Sequence, residues 1–214
     1  MAMALRVVVP PHPLLAHWLT VLRERQTPQP LVCTALAELG RWLSYEALRD
    51  WLPQRQVAVE TSAGACDGLV VDAAIPLLAI SALPAGGGLW QGAQGVLPAA
   101  QIGHVVVDDA AIVQRCWPDP IAANTGVLLF WGQLAAPEPL LAVLDQLAAL
   151  GVSGTRLRVI TAVAAAPALQ SIGESHGALT LYTAAIDPDL DEQGRISPGL
   201  GELDSRLIGY SHSH

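Results

Sequence analysis

Charge is scarce in this 214-residue chain: 14% of its residues are Asp, Glu, Lys or Arg, and acids outnumber bases 19 to 11. A net charge of −8 excludes a nucleic-acid backbone and an anionic membrane surface as partners, since both would repel it. Any phosphorylated ligand would need a local positive site. Cysteine is scarce too. Cys33, Cys66 and Cys116 are odd in number, widely spaced and form no C-x-x-C pair. They read as buried, reduced thiols of a cytoplasmic protein. No secretory signal is expected, because Arg6, Pro10 and Pro11 interrupt the apolar start. The most apolar run, residues 68–90, is broken by Asp72, Pro76, Pro84 and a glycine triplet. It reads as a buried strand and its turn, not a membrane span.

What is abundant is apolar: 52% of the residues are hydrophobic, enough for a substantial core in one domain spanning 1–214. Leu15, Trp18, Leu19 and Leu22 fall at helical spacing over 12–23, with Pro13 at the helix start. A second amphipathic helix is predicted over 34–52 through Leu36, Leu39, Trp42, Leu43 and Leu48. Residues 56–71 read as a β-hairpin around a Gly-rich turn. From there strands are predicted at 75–83, 102–108, 126–131, 156–163 and 178–186, with helices near 88–96, 139–150 and 165–175. That alternation implies an α/β fold, a parallel sheet flanked by helices. No internal repeat or linker divides the chain. His12 and His17 read as solvated or core-edge histidines before metal ligands, and the terminal Ser-His-Ser-His as a polar end with weak chelating capacity.

The stretch with most chemical information is 181–201. An apolar strand breaks at Asp187-Pro188, an acidic turn follows, and the segment closes on Pro198-Gly199-Leu200-Gly201. Glycine allows close approach and proline fixes the turn, which suits a flat ring read by backbone groups. The pattern Tyr182-Thr-Ala-x-Ile-Asp187, then Leu190, Gly194, Ile196 and Pro198-Gly-Leu-Gly201, resembles the uracil-binding segment of the uracil phosphoribosyltransferase family. His12-Pro-Leu14, His17 and Leu22-Arg23 are similar to that family's N-terminal helix, and Leu43-Ser44-Tyr45-Glu46-Ala47 matches it again. The resemblance covers 12–52 and 69–209. It implies a phosphoribosyltransferase fold with a Rossmann-like core, and a hairpin arm that joins two subunits. It also implies a C-terminal hood over 182–209, whose uracil pocket is made by Tyr182, Thr183, Ala185, Ile186, Asp187, Ile196, Gly199, Leu200, Gly201, Glu202 and Leu203.

The donor side departs from the same pattern. Transfer from phosphoribosyl pyrophosphate needs a glycine-rich loop for the 5′-phosphate, acids for Mg²⁺ or ribose hydroxyls, and cations for pyrophosphate. Here Trp131 stands at the ribose-binding acid, Ala136 at a threonine, Pro137 and Glu138 at two glycines, and Pro139 at a serine. Pro84 replaces the arginine before Gly86 to Gly88, a triplet that could still form an anion nest. The basic hairpin expected before the phosphate strand is shortened to 108–115, where only Arg115 is basic. The family's Asp-x-Gly-Asp-Arg becomes Glu202-Leu203-Asp204-Ser205-Arg206.

The expectation drawn from these replacements is a uracil phosphoribosyltransferase-like protein that has lost catalysis and serves as a ligand-binding, regulatory or assembly subunit. It would be a homodimer needing no cofactor or metal. The alternative is an active enzyme of pyrimidine salvage making UMP, with Glu202 and Arg206 at its catalytic centre, Mg²⁺ as cofactor, and Arg115 and Arg206 supplying charge. Six tryptophans beside one phenylalanine would favour a protein partner in a larger complex if they were exposed. As core filler they would not.

Overall fold

The structure, a computed structural model, describes residues 4–97 and 99–209; the 211–214 tail lies outside them. The chain begins with a short strand, β1 (Arg6–Val8), and two helices, α1 (Pro13–Arg23) and α2 (Gln29–Leu48). His12 caps α1. Its Nδ1 accepts the Leu14 N–H at 3.1 Å, and its ring stacks on Trp42 of α2 at 5.5 Å between centroids. Next come β2 (Gln54–Thr61), β3 (Gly64–Val71), β4 (Leu77–Ala82), α3 (Ala85–Ala93), β5 (Gln101–Asp108) and β6 (Ala111–Cys116). They are followed by β7 (Gly126–Leu134), α4 (Glu138–Ala149), β8 (Leu157–Ala165), α5 (Ala166–Ser175) and β9 (Thr180–Asp187). The described chain closes with β10 (Asp189–Leu190), β11 (Ile196–Ser197) and α6 (Leu203–Ile208).

Seven strands make one sheet in the order β1-β9-β8-β7-β4-β5-β6, parallel except for the antiparallel edge pair β5–β6. The α/β expectation from alternation holds. Strands β7 and β8 read as largely apolar runs, interrupted by Gln133 in one and by Arg158 and Thr161 in the other, because both faces of a central parallel strand are covered, and every residue of β8 is buried. From β4 the chain crosses through α3 to β5 on one side; from β7 it crosses through α4 to β8 on the other. With right-handed crossovers, this reversal sets α3 and α4 on opposite faces. It also opens a crevice at the carboxyl ends of β4 and β7.

Helix α2 meets α3 at backbone distance, and glycine is what permits it. A Cβ on Gly40 would stand 1.9 Å from the Leu89 carbonyl oxygen, and one on Gly92 only 1.6 Å from that of Ala37. At the other end of the sheet, Arg158 of β8 donates to Tyr182 Oη (2.7 Å), the Ala47 carbonyl (2.5 Å) and Asp50 (3.0 Å). Its guanidinium also lies over the Trp51 and Tyr182 rings, which fastens the end of α2 to the sheet.

The β2–β3 hairpin stands outside this body, with Val59, Leu69, Val70 and Val71 exposed. The 108–115 segment is a tight hairpin turn, with Asp109 and Ala110 at φ of 42° and 62°. Strand β1, the β10–β11 ribbon and α6 were not anticipated; each element is six residues or fewer, too short to show a period. Trp90 and Trp131 are buried and Trp18, Trp42, Trp51 and Trp117 half-buried. Trp90 and Trp131 belong to the core and the other four pack against it, so none of the six is fully exposed.

Substituting Gly92→Ala should lower the unfolding free energy by roughly 3 kcal/mol, the upper range for overpacking. Urea titration would read the loss as an earlier midpoint at an unchanged slope.

Candidate active site

Strand β9 ends at Asp187, which is buried. Its carboxylate accepts both terminal nitrogens of Arg23 (2.6 and 2.9 Å) and the Gly199 N–H (2.9 Å). Arg23 donates onward to the Gly199 carbonyl at 3.0 Å. Arg206 of α6 donates to the carbonyls of Leu22, Glu24 and Leu200. Gln133 of β7 donates to the Gly201 carbonyl at 3.2 Å. Three successive carbonyls, 199 to 201, are thus held by side chains from three elements. Glycines at 199 and 201 take φ of 60° and 68°, which lets the loop turn its carbonyls outward to these donors.

Arg206 is therefore a brace. It was expected at a catalytic centre or as the missing cation, but its fork is spent on carbonyls, and burial lowers its pKa. Arg115, the other cation considered, pairs with Asp119 at 3.3 Å and lies over Trp117.

At the crevice between β4 and β7 lies a cleft of about 260 Å³. Leu83, Trp131, Ala136, Pro139 and Leu203 give it an apolar wall, and Gln133 and Asp204 are the polar side chains that line it. Alternation along β7 turns Trp131, Gln133 and Ala135 to this one side. Desolvation at the cleft pushes the Asp204 carboxyl pKa up, the nearby Ala85 main-chain N–H opposes that, and Glu202 adds to the rise.

The anion nest expected at Gly86 to Gly88 does not form. These residues are the first turn of α3, none with positive φ. Gly86 is there because a Cβ would stand 2.2 Å from the Phe130 carbonyl oxygen, and Gly88 because one would stand 2.6 Å from Leu36. Pro84 caps α3 without a side-chain bond. Pro137 caps α4, whose first turn carries Glu138 and Pro139. Among the described residues, the Glu138 and Leu140 N–H groups at this helix start carry no hydrogen bond.

The pocket residues expected on β9 divide. Tyr182 is turned from the cleft: it sits near the start of its strand, bonded to Arg158, where burial raises its pKa. The Thr183 hydroxyl is buried and bonded to the Ala162 and Ala185 carbonyls. Ile196 and Leu200 are buried beneath the loop, Ala185 is half-buried, and Ile186, Gly201 and Glu202 are exposed. Reading residue types alone missed Gln133 and the brace role of Arg23. A lone amide in the apolar run of β7 was the available signal for Gln133.

A doubly wound α/β sheet with a ligand-sized cleft at its switch point defines a class of proteins that bind ligands at strand carboxyl ends. Comparison with known proteins narrows the class. The family profile of uracil phosphoribosyltransferase matches residues 9–209. A Synechococcus elongatus protein named uracil phosphoribosyltransferase is 46% identical over 98% of this chain and 99% of its own. A Nostoc protein of the same name is 40% identical over 98% and 100%. The solved AQ2163 protein of Aquifex aeolicus superposes with a TM-score of 0.86 at 25% identity, covering 97% of this chain and 100% of its own. The chain belongs to the uracil phosphoribosyltransferase family. It is a phosphoribosyltransferase.

The expectation of lost catalysis is overturned by these kinships: proteins 40–46% identical over nearly their full length carry the enzyme's name. That expectation counted side chains at Trp131, Ala136, Pro137, Glu138, Pro139 and Pro84. It took Pro137 and Pro139 as two lost amides and Glu138 as a repelling charge, whereas the N–H groups of Glu138 and Leu140 remain at the start of α4.

A carboxyl whose pKa is raised on folding binds its proton more tightly in the folded chain, so its ionised form weakens the fold as pH rises through that range. Asp204→Asn keeps the side chain's shape and removes the charge. It should melt above wild type at pH 7, and the two melting curves should converge as pH falls below the ordinary carboxylate range.

Proposed function

We propose that this protein is an active uracil phosphoribosyltransferase of pyrimidine salvage, working in the cytoplasm. It converts uracil and phosphoribosyl pyrophosphate to UMP and pyrophosphate. The observation that carries this reading is the 46% identity, end to end, with a relative of that name. In the reaction uracil N1 bonds to ribose C1′ as the C1′–O bond to pyrophosphate breaks, and the N1 proton passes to solvent.

Geometry supports the assignment of parts. The 199–203 segment and Ala185 form the uracil side, with loop carbonyls set by Arg23, Arg206 and Gln133. The cleft at β4 and β7 is the donor side. There the start of α4 presents the positive end of its dipole and the N–H groups of Glu138 and Leu140 to the 5′-phosphate. Asp204 is the one carboxylate lining the cleft, and among the described residues no cluster of three or more acids, histidines or cysteines is arranged to hold a metal. The residues present do not fit a chain-held Mg²⁺. The ion would arrive on the donor's own phosphates, as Mg²⁺ commonly does.

The chain acts as one domain, with 56–71 as an arm and 182–209 as the hood. A two-stranded hairpin is marginal alone in water, and this one exposes Val59, Leu69 and Val71. Packing against a second copy supplies what it lacks, giving a symmetric homodimer.

Chromatography of a reaction with uracil, the donor and Mg²⁺ should show UMP formed at about 1 s⁻¹ or faster, the lower end of ordinary turnover. Absence of UMP would overturn the reading. Light scattering should give twice the chain mass, and Leu69→Asp should shift it toward the monomer.

A further inference from the structure

We propose that Gln133 contacts the ribose of the bound ligand and holds it in register with the base loop, an inference that rests on the transferase reading. Three observations place it. Its side chain lines the cleft, in a wall that is otherwise apolar apart from Asp204. Its Nε2 donates to the Gly201 carbonyl at 3.2 Å, and because a carbonyl only accepts, that bond decides which way the amide faces. Its Oε1 has no partner among the described residues, so an acceptor is left over at the cleft wall.

Position says what that acceptor meets. In any nucleotide the pentose lies between base and 5′-phosphate. Gln133 is tied at one end to the loop assigned to the base, and its strand runs on within five residues to the start of α4, assigned to the phosphate. A pentose there offers hydroxyl donors, and an amide oxygen accepts them. The family's ribose-binding acid is replaced by Trp131, two residues earlier on the same side of β7. The acceptor role has moved along the strand and changed from a carboxylate to an amide, so ribose is held without adding a negative charge beside the donor's phosphates.

The test compares UMP with its 2′,3′-dideoxy analogue by calorimetry on wild type, Gln133→Leu and Gln133→Glu. Wild type should prefer UMP by about fivefold to tenfold, the range of one to two neutral hydrogen bonds. Leucine should erase the preference, while the loss of the Gly201 tie that it shares with glutamate should weaken UMP and the dideoxy nucleotide alike, so that the ratio of the two affinities is the readout. Glutamate keeps an acceptor and loses the donor to Gly201. It should retain the ribose preference and raise the KM for uracil. A purely structural tie would instead be lost alike in both variants. If leucine prevents folding, Gln133→Ala carries the same expectation. An undiminished preference in the apolar variants, or none in wild type that still makes UMP, overturns the proposal alone. Wild type that binds neither nucleotide and makes no UMP overturns it together with the transferase reading.

Discussion

A carboxylate withdrawn from water has to be matched by donors, and Asp187 receives three: two from the Arg23 fork and one from the Gly199 N–H. This ties three distant parts of the chain to one point, namely the end of α1, the end of β9 and the loop that follows β11. Removing either partner strands the other charge, at a cost of roughly 3–5 kcal/mol for a buried pair. The Arg206 brace depends on it as well, because its acceptor at Leu200 adjoins the residue that Asp187 holds. Without the Asp187 match, the 199–201 carbonyls have no fixed direction to present.

The architecture was legible because two periods were strong. Apolar runs of strand length alternated with amphipathic helices, and β7 and β8 carried the mainly hydrophobic signature of central strands. Placement of the loop that follows β9, from Pro188 onward, was legible from glycine and proline spacing. What eluded the residue pattern was direction. Tyr182 and Thr183 belong to the same motif as Gly199, yet one faces the α2 end of the sheet and the other is bonded within it. A motif lists neighbours along the chain, whereas a pocket selects every second residue of a strand. The glycine triplet was ambiguous for a related reason. Close packing of α3 on Phe130 and anion binding both call for absent side chains, and only the backbone angles tell them apart.

The phosphate side was the harder reading. The chain contains no lysine, so each basic side chain is an arginine. Many of these are committed: to Asp187, Asp50, Asp119 and Asp191 as ion pairs, and to main-chain carbonyls through Arg156 and Arg206. A planar fork suits that bracing duty, since it fixes several acceptors at once. The main-chain N–H groups at the start of α4 are a further source of positive potential, and such groups leave no trace in an alignment of residue types.

The contact of α3 with β7 has a mechanical meaning. Gly86 touches the Phe130 carbonyl and Gly132 touches Ala85 with no room for a methyl group between them. Helix and strand therefore share one rigid body, and neither can slide without breaking the core. The facing wall is fastened differently, by a handful of side-chain hydrogen bonds from Arg23, Arg206 and Gln133. The cleft resembles a vice with one jaw set by close packing and the other by hydrogen bonds.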